Sequence, residues 1–150
     1  MEPGDAQDGQ VAGDAASLIL IVEDNALNLK LFSDLLRAHD YRVEGLSDGR
    51  DALARARDVR PQLIITDIQL PHISGLELIE QLKADEALRE VPVMAVTAYA
   101  GRADEERVRA AGAEAYVAKP ISLQRFVGEV KGLLALGGET IPSAELVRPE

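Results

Sequence analysis

Five short apolar runs, rich in β-branched residues, divide this sequence and restrict the folds open to it. They are residues 18–22, 41–46, 62–66, 92–96 and 114–118. Runs such as LILIV and LIIT do not alternate with polar residues, which is typical of strands that helices cover on both faces. The segments between the runs are long enough for the crossovers that join parallel strands.

These intervening segments have the spacing of helices. In the first, Leu27, Leu31 and Leu35 recur every four residues. The segment 74–88 and the last segment each place several apolar residues on one side, which predicts core-facing helices. These residues are Leu76, Ile79 and Leu82 in one, and Leu123, Phe126, Val127, Val130, Leu133 and Leu134 in the other.

Two helix boundaries are marked by single residues. Ser122 is the predicted N-cap of the last helix, and Gly112 the predicted end of the helix before it. The order of elements is therefore β-α five times, which predicts an α/β fold with a doubly wound, five-stranded parallel sheet flanked by five helices. In such sheets, ligands bind beyond the carboxyl ends of the strands, where the strand order reverses.

The length of 150 residues suits one domain, which we predict at residues 18–136. Residues 1–17 are Gly- and Asp-rich, so we expect a disordered acidic tail there and a flexible tail at 137–150. The tails carry −4 and −2 of the net charge of −10, so the domain keeps −4 and no nucleic-acid surface is expected.

The sequence also excludes some locations and chemistries. No run approaches the roughly 20 apolar residues of a membrane span, and the N-terminus does not resemble a signal peptide. We therefore expect a cytoplasmic protein with no membrane insertion. Because the chain has no cysteine, thiolate chemistry and sulfur-ligated zinc are excluded.

Polar residues follow directly on four of the predicted strands. Glu23 and Asp24 come after the first, Asp67 after the third, Thr97 after the fourth and Lys119 after the fifth. Because the carboxyl ends of parallel strands meet at one edge of the sheet, we expect three acids, a hydroxyl and an ammonium to gather there.

This set of side chains suits phosphoryl transfer. Close carboxylates repel one another, and an oxygen-binding cation such as Mg²⁺ relieves that repulsion. A carboxylate can attack phosphorus and form an acyl phosphate. The transferring group carries charge on three oxygens, for which Mg²⁺, Lys119 and the Thr97 hydroxyl with a neighbouring backbone N–H are the predicted partners.

Each of these residues, taken alone, also has an ordinary structural explanation. A single Asp at a strand end commonly caps a helix or a turn. Thr97 alone would end a strand, and Lys119 before Pro120 would mark a turn with a solvated charge. Their matching placement after four different strands favours a functional site.

Four segments at these positions carry a family resemblance. LILIVEDN (18–25), LIITDIQLPHISGLEL (63–78), VMAVTA (93–98) and AYVAKP (115–120) resemble the response-regulator receiver domains of two-component signalling. Within that family, NALNLKLFSDLL and ADEERVRAAGAEAYVAKPIS look most like the DivK group of single-domain regulators of bacterial cell division and polarity.

The resemblance implies a metal site and a phosphoacceptor. Asp67 is the implied phosphoacceptor. The implied ligands of Mg²⁺, for which Mn²⁺ can substitute, are Glu23, Asp24, Asp67 and the backbone carbonyl of Gln69. Lys119 would pair with the phosphoryl group or with Asp67, and a cis Lys119–Pro120 bond would aim its side chain at the site.

The resemblance also implies a conformational switch. Thr97 would close on a phosphoryl oxygen, and Tyr116 would move between exposed and buried positions, although an aromatic on an edge strand is equally ordinary packing. The predicted helix at 102–111 supports a movable element independently, because Val108 is its only large apolar residue.

The implied function is that of a single-domain response regulator in a phosphorelay, with control of the cell cycle or cell polarity as its setting. It would be a signalling switch, not an enzyme acting on other substrates, and would catalyse only its own phosphorylation and dephosphorylation. The implied partners are a histidine kinase or histidine phosphotransferase, and a phosphatase or adaptor protein. They would dock near the first helix or beside Tyr116. We expect a monomer or weak dimer.

Three alternatives stay open. An Mg²⁺-dependent phosphatase that forms an aspartyl phosphate usually has a second acid where this sequence has Gln69. A phosphorylation-independent binding module would not need the intact set of acids. A receiver fragment of a hybrid histidine kinase would share every motif, although Met1 and the lack of a helical linker before residue 18 favour a free-standing protein.

Overall fold

Five parallel strands form one sheet in the computed structural model, which describes residues 17–98 and 101–138. Along the chain they are β1 (Leu18–Val22), β2 (Arg42–Leu46), β3 (Leu63–Asp67), β4 (Val93–Thr97) and β5 (Ala115–Ala118). Their order in the sheet is β2-β1-β3-β4-β5, and each neighbouring pair is parallel. The order reverses between β1 and β3, which is where this kind of sheet places its ligands.

Five α-helices flank the sheet within the described residues. They are α1 (Ala26–Ala38), α2 (Ala52–Val59), α3 (Gly75–Ala84), α4 (Arg102–Ala111) and α5 (Leu123–Gly138), with a 3-10 turn at Gly49–Asp51 before α2. The predicted doubly wound α/β fold is confirmed, and each strand boundary lies within one residue of its prediction. None of the helices in this part of the chain is both long enough and apolar enough to cross a membrane.

Strand side chains point alternately into two apolar cores, which explains why the strands are apolar at successive positions. Ile19 and Ile21 face α1 and α5, whereas Leu20 faces α2, α3 and α4. Each large side chain buried in this way stabilises the fold by about 1.5–3 kcal/mol. The rings of Phe32 and Phe126 stack with their centroids 4.9 Å apart and join α1 to α5.

Helix α1 buries a different stripe from the one that its leucine spacing suggests. Leu27 and Leu31 are 75% and 45% exposed, whereas Phe32 and Leu36 lie in the core. A four-residue spacing predicts a helix, but it does not fix how the helix is rotated about its axis, because the neighbouring stripe has the same period.

Helix α3 ends four residues before the predicted segment does. A capping box begins it, with the Glu77 N–H donating to Ser74 Oγ at 3.2 Å and the Ser74 N–H donating to Glu77 Oε1 at 3.2 Å. At its end, the Asp85 carboxylate accepts the Ala87 N–H at 2.9 Å and favours a turn. Leu88 nevertheless stays buried in the core.

Most of the predicted core residues of α3 and α5 are buried. The buried ones are Ile79, Leu82, Phe126, Val127, Val130 and Leu133, while Leu76 and Leu134 are partly buried and Leu123 is 42% exposed. Both predicted helix boundaries are confirmed. The Arg125 N–H donates to Ser122 Oγ at 3.3 Å, and Gly112 ends α4 with a φ of 120°.

The two predicted tails fall almost entirely outside the described residues. Ser17 is described, and its carbonyl accepts the Arg42 N–H at 2.9 Å. Helix α5 continues to Gly138, two residues past the predicted domain boundary.

Candidate functional site

Three carboxylates meet at the reversal point of the sheet. Glu23 and Asp24 follow β1, and Asp67 is the last residue of β3. One oxygen of each lies within 4.8 Å of the others. Glu23 and Asp67 are buried, and Asp24 is exposed. The structure thus brings together the three acids that the sequence places at strand ends.

Local hydrogen bonds fix Glu23 in the crevice. Its N–H donates to Leu46 O at 2.9 Å, and its Oε2 accepts the Asn25 N–H at 3.1 Å. Asn25 also caps α1, because its Oδ1 accepts the Asn28 N–H at 2.9 Å. Burial raises the pKa of Glu23, the Asn25 hydrogen bond partly offsets that effect, and the charge of Asp67 adds to the rise.

Asp67 is held through both of its carboxylate oxygens. Oδ1 accepts the Gln69 N–H at 3.0 Å, and Oδ2 accepts a hydrogen bond from the Lys119 ammonium at 2.8 Å. Lys119 Nζ also lies 3.6 Å from Glu23 Oε1, so two buried carboxylates share one ammonium. The Asp67 carboxylate is therefore oriented before any ligand arrives.

Lys119 reaches the acids from the end of β5. Its N–H donates to Thr97 O at 2.7 Å, and the Lys119–Pro120 peptide bond is cis. Burial by itself lowers the pKa of Lys119. The hydrogen bond to Asp67 and the charges of Asp67 and Glu23 outweigh burial, so the pKa lies above its ordinary value and the side chain is a cation at neutral pH.

Thr97 and Tyr116 lie on the neighbouring strands β4 and β5. Thr97 ends β4 and is 1% exposed. Tyr116 is buried in the same core cluster as Val108 of α4. Burial raises the pKa of Tyr116, and the charges of Asp104 and Glu105 on α4 add to the rise. The structure therefore holds Tyr116 in its buried position, next to the helix predicted to move.

Gly75 shapes the site and was missed by reasoning from the sequence. A Cβ at this position would lie 2.3 Å from Asp67 O and 2.6 Å from Ile68 Cα. The start of α3 therefore packs directly against the end of β3. The available signal is a glycine that follows the helix cap Ser74 in the same segment as Asp67, but its steric role depends on how the two elements pack.

The donor set fits a hard divalent cation. Three carboxylates lie within 4.8 Å of one another, and the one ammonium beside them pairs with Asp67 and Glu23, which leaves two negative charges uncompensated when all three acids are ionised. The side-chain donors are all oxygen atoms, which suit Mg²⁺ or Mn²⁺ better than zinc. The exposed position of Asp24 leaves the cluster open to solvent on one side.

Comparisons with a family model and with individual proteins both point to the same family. Residues 19–131 match the response regulator receiver domain. The polar-differentiation response regulator DivK of Brucella anthropi is 53% identical over 116 residues, which cover 77% of this chain and 94% of that protein.

Solved structures share the fold. The receiver domain of a signal transduction histidine kinase from Syntrophus aciditrophicus has a TM-score of 0.78 at 31% identity, over 85% of this chain and 96% of that one. The receiver domain of a sensor histidine kinase from Pseudomonas aeruginosa has a TM-score of 0.75 at 33% identity, over 81% and 99%. That domain has a magnesium ion coordinated in its active site cleft.

The fold and the site together define a small α/β domain with a lysine and a cluster of acids at the reversal point of its sheet. The chain belongs to the response regulator receiver domain family of two-component signalling. The resemblance seen in the sequence is confirmed, including its likeness to DivK.

Proposed function

We propose that Asp67 accepts a phosphoryl group from the phosphohistidine of a histidine kinase or histidine phosphotransferase, and that this modification is the signal. One observation carries the proposal. The buried Asp67 carboxylate accepts a hydrogen bond from Lys119 Nζ at 2.8 Å and lies in an acid cluster with Glu23 and Asp24. The carboxylate that would act as the nucleophile thus lies beside an ammonium and two further acids, and these three acids could hold a metal ion.

The transfer moves one phosphoryl group between two side chains. A carboxylate oxygen of Asp67 attacks phosphorus, the P–N bond to the histidine breaks, and the imidazole leaves with the bonding electron pair. Lys119 and the Thr97 hydroxyl would stabilise charge on the phosphoryl oxygens. Attack by water on the same phosphorus later restores the carboxylate, so the protein would catalyse its own dephosphorylation.

The carboxylates of Glu23, Asp24 and Asp67 and the carbonyl of Gln69 would hold Mg²⁺, for which Mn²⁺ can substitute. When bound, the ion supplies positive charge for the phosphoryl oxygens. The cluster of oxygen donors supports this assignment. The magnesium ion in the receiver domain from Pseudomonas aeruginosa supports it too, because that domain shares the fold and 33% identity.

The conformational change would begin at Thr97 and reach Tyr116 and α4. Of the residues of α4, all of which are described, Val108 alone is buried, so few apolar contacts hold this helix. Tyr116 lies beside it in the core. Movement of Thr97 toward a phosphoryl group would free space at the end of β4, and Tyr116 with α4 would change position in response.

The phosphodonor would dock on an apolar strip beside Lys119. Leu27 and Leu31 of α1 and Leu123 of α5 are exposed. A cavity of about 220 Å³ lies next to the strip and is lined in part by Leu31, Lys119 and Ile121. This surface would place an amphipathic helix carrying the phosphohistidine close to Asp67.

The DivK relative supports the wider setting of the proposal. This chain spans 94% of that protein at 53% identity, so we assign it the same kind of role, a response regulator of bacterial cell polarity or the cell cycle. It would act in the cytoplasm as a monomer or weak dimer and would pass its signal to a phosphatase or adaptor protein.

Phosphorylation in vitro tests the proposal. We expect the wild type to gain one phosphoryl group, measured by intact mass, when it is incubated with Mg²⁺ and acetyl phosphate. Asp67→Asn should gain none. Asp58→Asn is the matched control, because Asp58 is an exposed acid that pairs with Arg55 on α2. Unchanged phosphorylation of Asp67→Asn would refute the proposal.

The same protein samples separate the competing functions. Rapid turnover of small phosphate esters would favour an Mg²⁺-dependent phosphatase. No change in the backbone NMR shifts of Thr97, Tyr116 or α4 on adding Mg²⁺ and beryllofluoride would favour a phosphorylation-independent binding module.

A further inference from the structure

The turn after β2 packs against the loop between β3 and α3 through one glycine. Gly49 is buried, and a Cβ built on it would lie 2.9 Å from Ile73 Cγ2 and 3.1 Å from Leu70 Cδ1. Among the described glycines, Gly112 alone has a positive φ. An alanine at position 49 would therefore meet no backbone strain but a short, repulsive contact that the Ile73 and Leu70 side chains must move to relieve.

The loop that Gly49 contacts carries part of the proposed site. Gln69 lies in this loop, and its N–H donates to Asp67 Oδ1 at 3.0 Å. At the other end of the loop, the Gly75 N–H donates to Ile68 O at 2.8 Å. The loop is thus fixed at both ends beside Asp67, and its middle rests on Gly49.

The two residues that flank Gly49 are bonded to each other. Asp48 Oδ1 accepts the Arg50 N–H at 2.8 Å, and the carboxylate pairs with the Arg50 guanidinium at 2.8 Å. These bonds lower the pKa of Asp48 to about 2, so they persist at neutral pH. The atoms that an added methyl group would meet, Ile73 Cγ2 and Leu70 Cδ1, belong to the loop, so we expect the loop to move.

The loop is conformationally restricted, so it can absorb little of that displacement. The Ile73 N–H donates to Pro71 O at 2.7 Å, and His72 has a φ of 73°. A left-handed conformation costs a non-glycine residue about 1 kcal/mol. We expect a loop with such a residue and a tight turn to move as a unit when Ile73 is displaced.

We propose that Gly49 is a positioning residue for the loop between β3 and α3. Because Gly49 has no side chain, Leu70 and Ile73 can pack closely against the turn. The distance between these two residues and the turn sets the position of the Gln69 backbone relative to Asp67. The inference rests on the proposed function in one respect. The position of the Gln69 backbone matters because its carbonyl would bind Mg²⁺.

The test compares Gly49→Ala with Gly128→Ala. A Cβ at Gly128, in α5, meets nothing within 4 Å, so this variant is a matched control. In the metal-free protein we expect the Gln69 amide of Gly49→Ala to exchange with deuterium about tenfold faster, a loss of about 1.4 kcal/mol in local protection. Core amides such as Ile65 should change much less. Mg²⁺ affinity, measured by calorimetry, should fall about threefold to tenfold. Gly128→Ala should leave both quantities unchanged.

A second substitution distinguishes positioning from simple destabilisation. Ile73→Leu removes the Cγ2 that the new Cβ would meet, so Gly49→Ala with Ile73→Leu should recover both Gln69 protection and Mg²⁺ affinity. If Gly49→Ala does not fold, Ile73→Ala removes the side chain that rests on Gly49 and should speed Gln69 exchange as well.

Equal acceleration of all amides, unchanged Gln69 exchange, or no recovery in the double variant would overturn the proposal. The metal-free exchange decides it even if the wild type binds no Mg²⁺. Absence of Mg²⁺ binding in the wild type would count against the proposed function alone.

Discussion

The ammonium of Lys119 lies 2.8 Å from Asp67 Oδ2, although 52 residues separate them in the chain. The same ammonium lies 3.6 Å from Glu23 Oε1, so it balances two buried carboxylates that have no other cation this close among the described residues. A metal ion that binds these acids would be repelled by Lys119, since two cations would then share one site.

Replacing Lys119 should therefore separate metal binding from signalling. We expect Lys119→Met to bind Mg²⁺ about threefold to tenfold more tightly, because the competing charge is gone, a change of about 0.7–1.4 kcal/mol. Phosphorylation by acetyl phosphate should nevertheless be lost. Calorimetry and intact mass measure the two effects. Lys131→Met, on the exposed side of α5, is the control, and weaker Mg²⁺ binding by Lys119→Met would contradict the prediction.

Glu23 should make the stability of the metal-free protein depend on pH. Burial, and then the charge of Asp67, raise the pKa of Glu23 above its ordinary 4.5, so the folded state holds this proton more tightly than the unfolded state. The resulting stabilisation is fully present below the unfolded pKa and is lost as the pH rises through the raised folded pKa. Glu23→Gln should remove this slope and add about 1 kcal/mol to the free energy of unfolding at neutral pH.

Urea denaturation at a series of pH values measures the slope. Glu80→Gln, on the exposed side of α3, is the control and should leave the slope in place. Because Glu23 is also a proposed metal ligand, Glu23→Gln should weaken Mg²⁺ binding by about tenfold, or 1.4 kcal/mol. A metal-free Glu23→Gln protein that is less stable than the wild type at neutral pH would show that the carboxylate stabilises the fold.

The acids of the site were predictable because their positions depend on local pattern and general topology. Asp67 and Glu23 each follow an apolar run, and parallel strands end at one edge of the sheet. The rotation of α1 was not predictable, because it depends on Phe32 stacking on Phe126, a contact between distant segments. Gly49 was missed for the same reason, since its steric role appears only when two loops meet.

The exposed leucines of α1 should affect phosphotransfer from a protein donor but not from a small-molecule donor. Leu31→Asp places a charge on the apolar strip, so we expect phosphotransfer from a histidine kinase to slow at least about tenfold, or 1.4 kcal/mol. Phosphorylation by acetyl phosphate should be unchanged, because Leu31 is an exposed residue of α1 and is not one of the three acids of the site. Ala54→Asp, on the exposed side of α2, is the control. Equal slowing with both donors would contradict the docking surface.

The side chain of Lys83 packs at the end of α4 that lies far from the site, and Lys30 on α1 serves as its comparison. Lys83 Nζ donates to Val91 O at 2.9 Å and to Glu114 Oε2 at 2.8 Å, and its side chain is 17% exposed. Its stem lies against Gly112, which ends α4. Lys30 makes an ion pair of similar length, 2.7 Å, with Asp34, but its side chain is 73% exposed.

The difference in exposure should decide the cost of removing each charge. Lys83→Met takes a donor from the Arg89 and Val91 carbonyls and the cation from the Glu114 carboxylate, so we expect the free energy of unfolding to fall by about 2 kcal/mol. Lys30→Met should cost no more than about 0.5 kcal/mol, because an exposed pair is screened by water. Urea denaturation measures both. Hydrogen exchange should also show faster opening at the Gly112 end of α4 in Lys83→Met alone, and equal costs for the two lysines would show that Lys83 does not anchor this end of the helix.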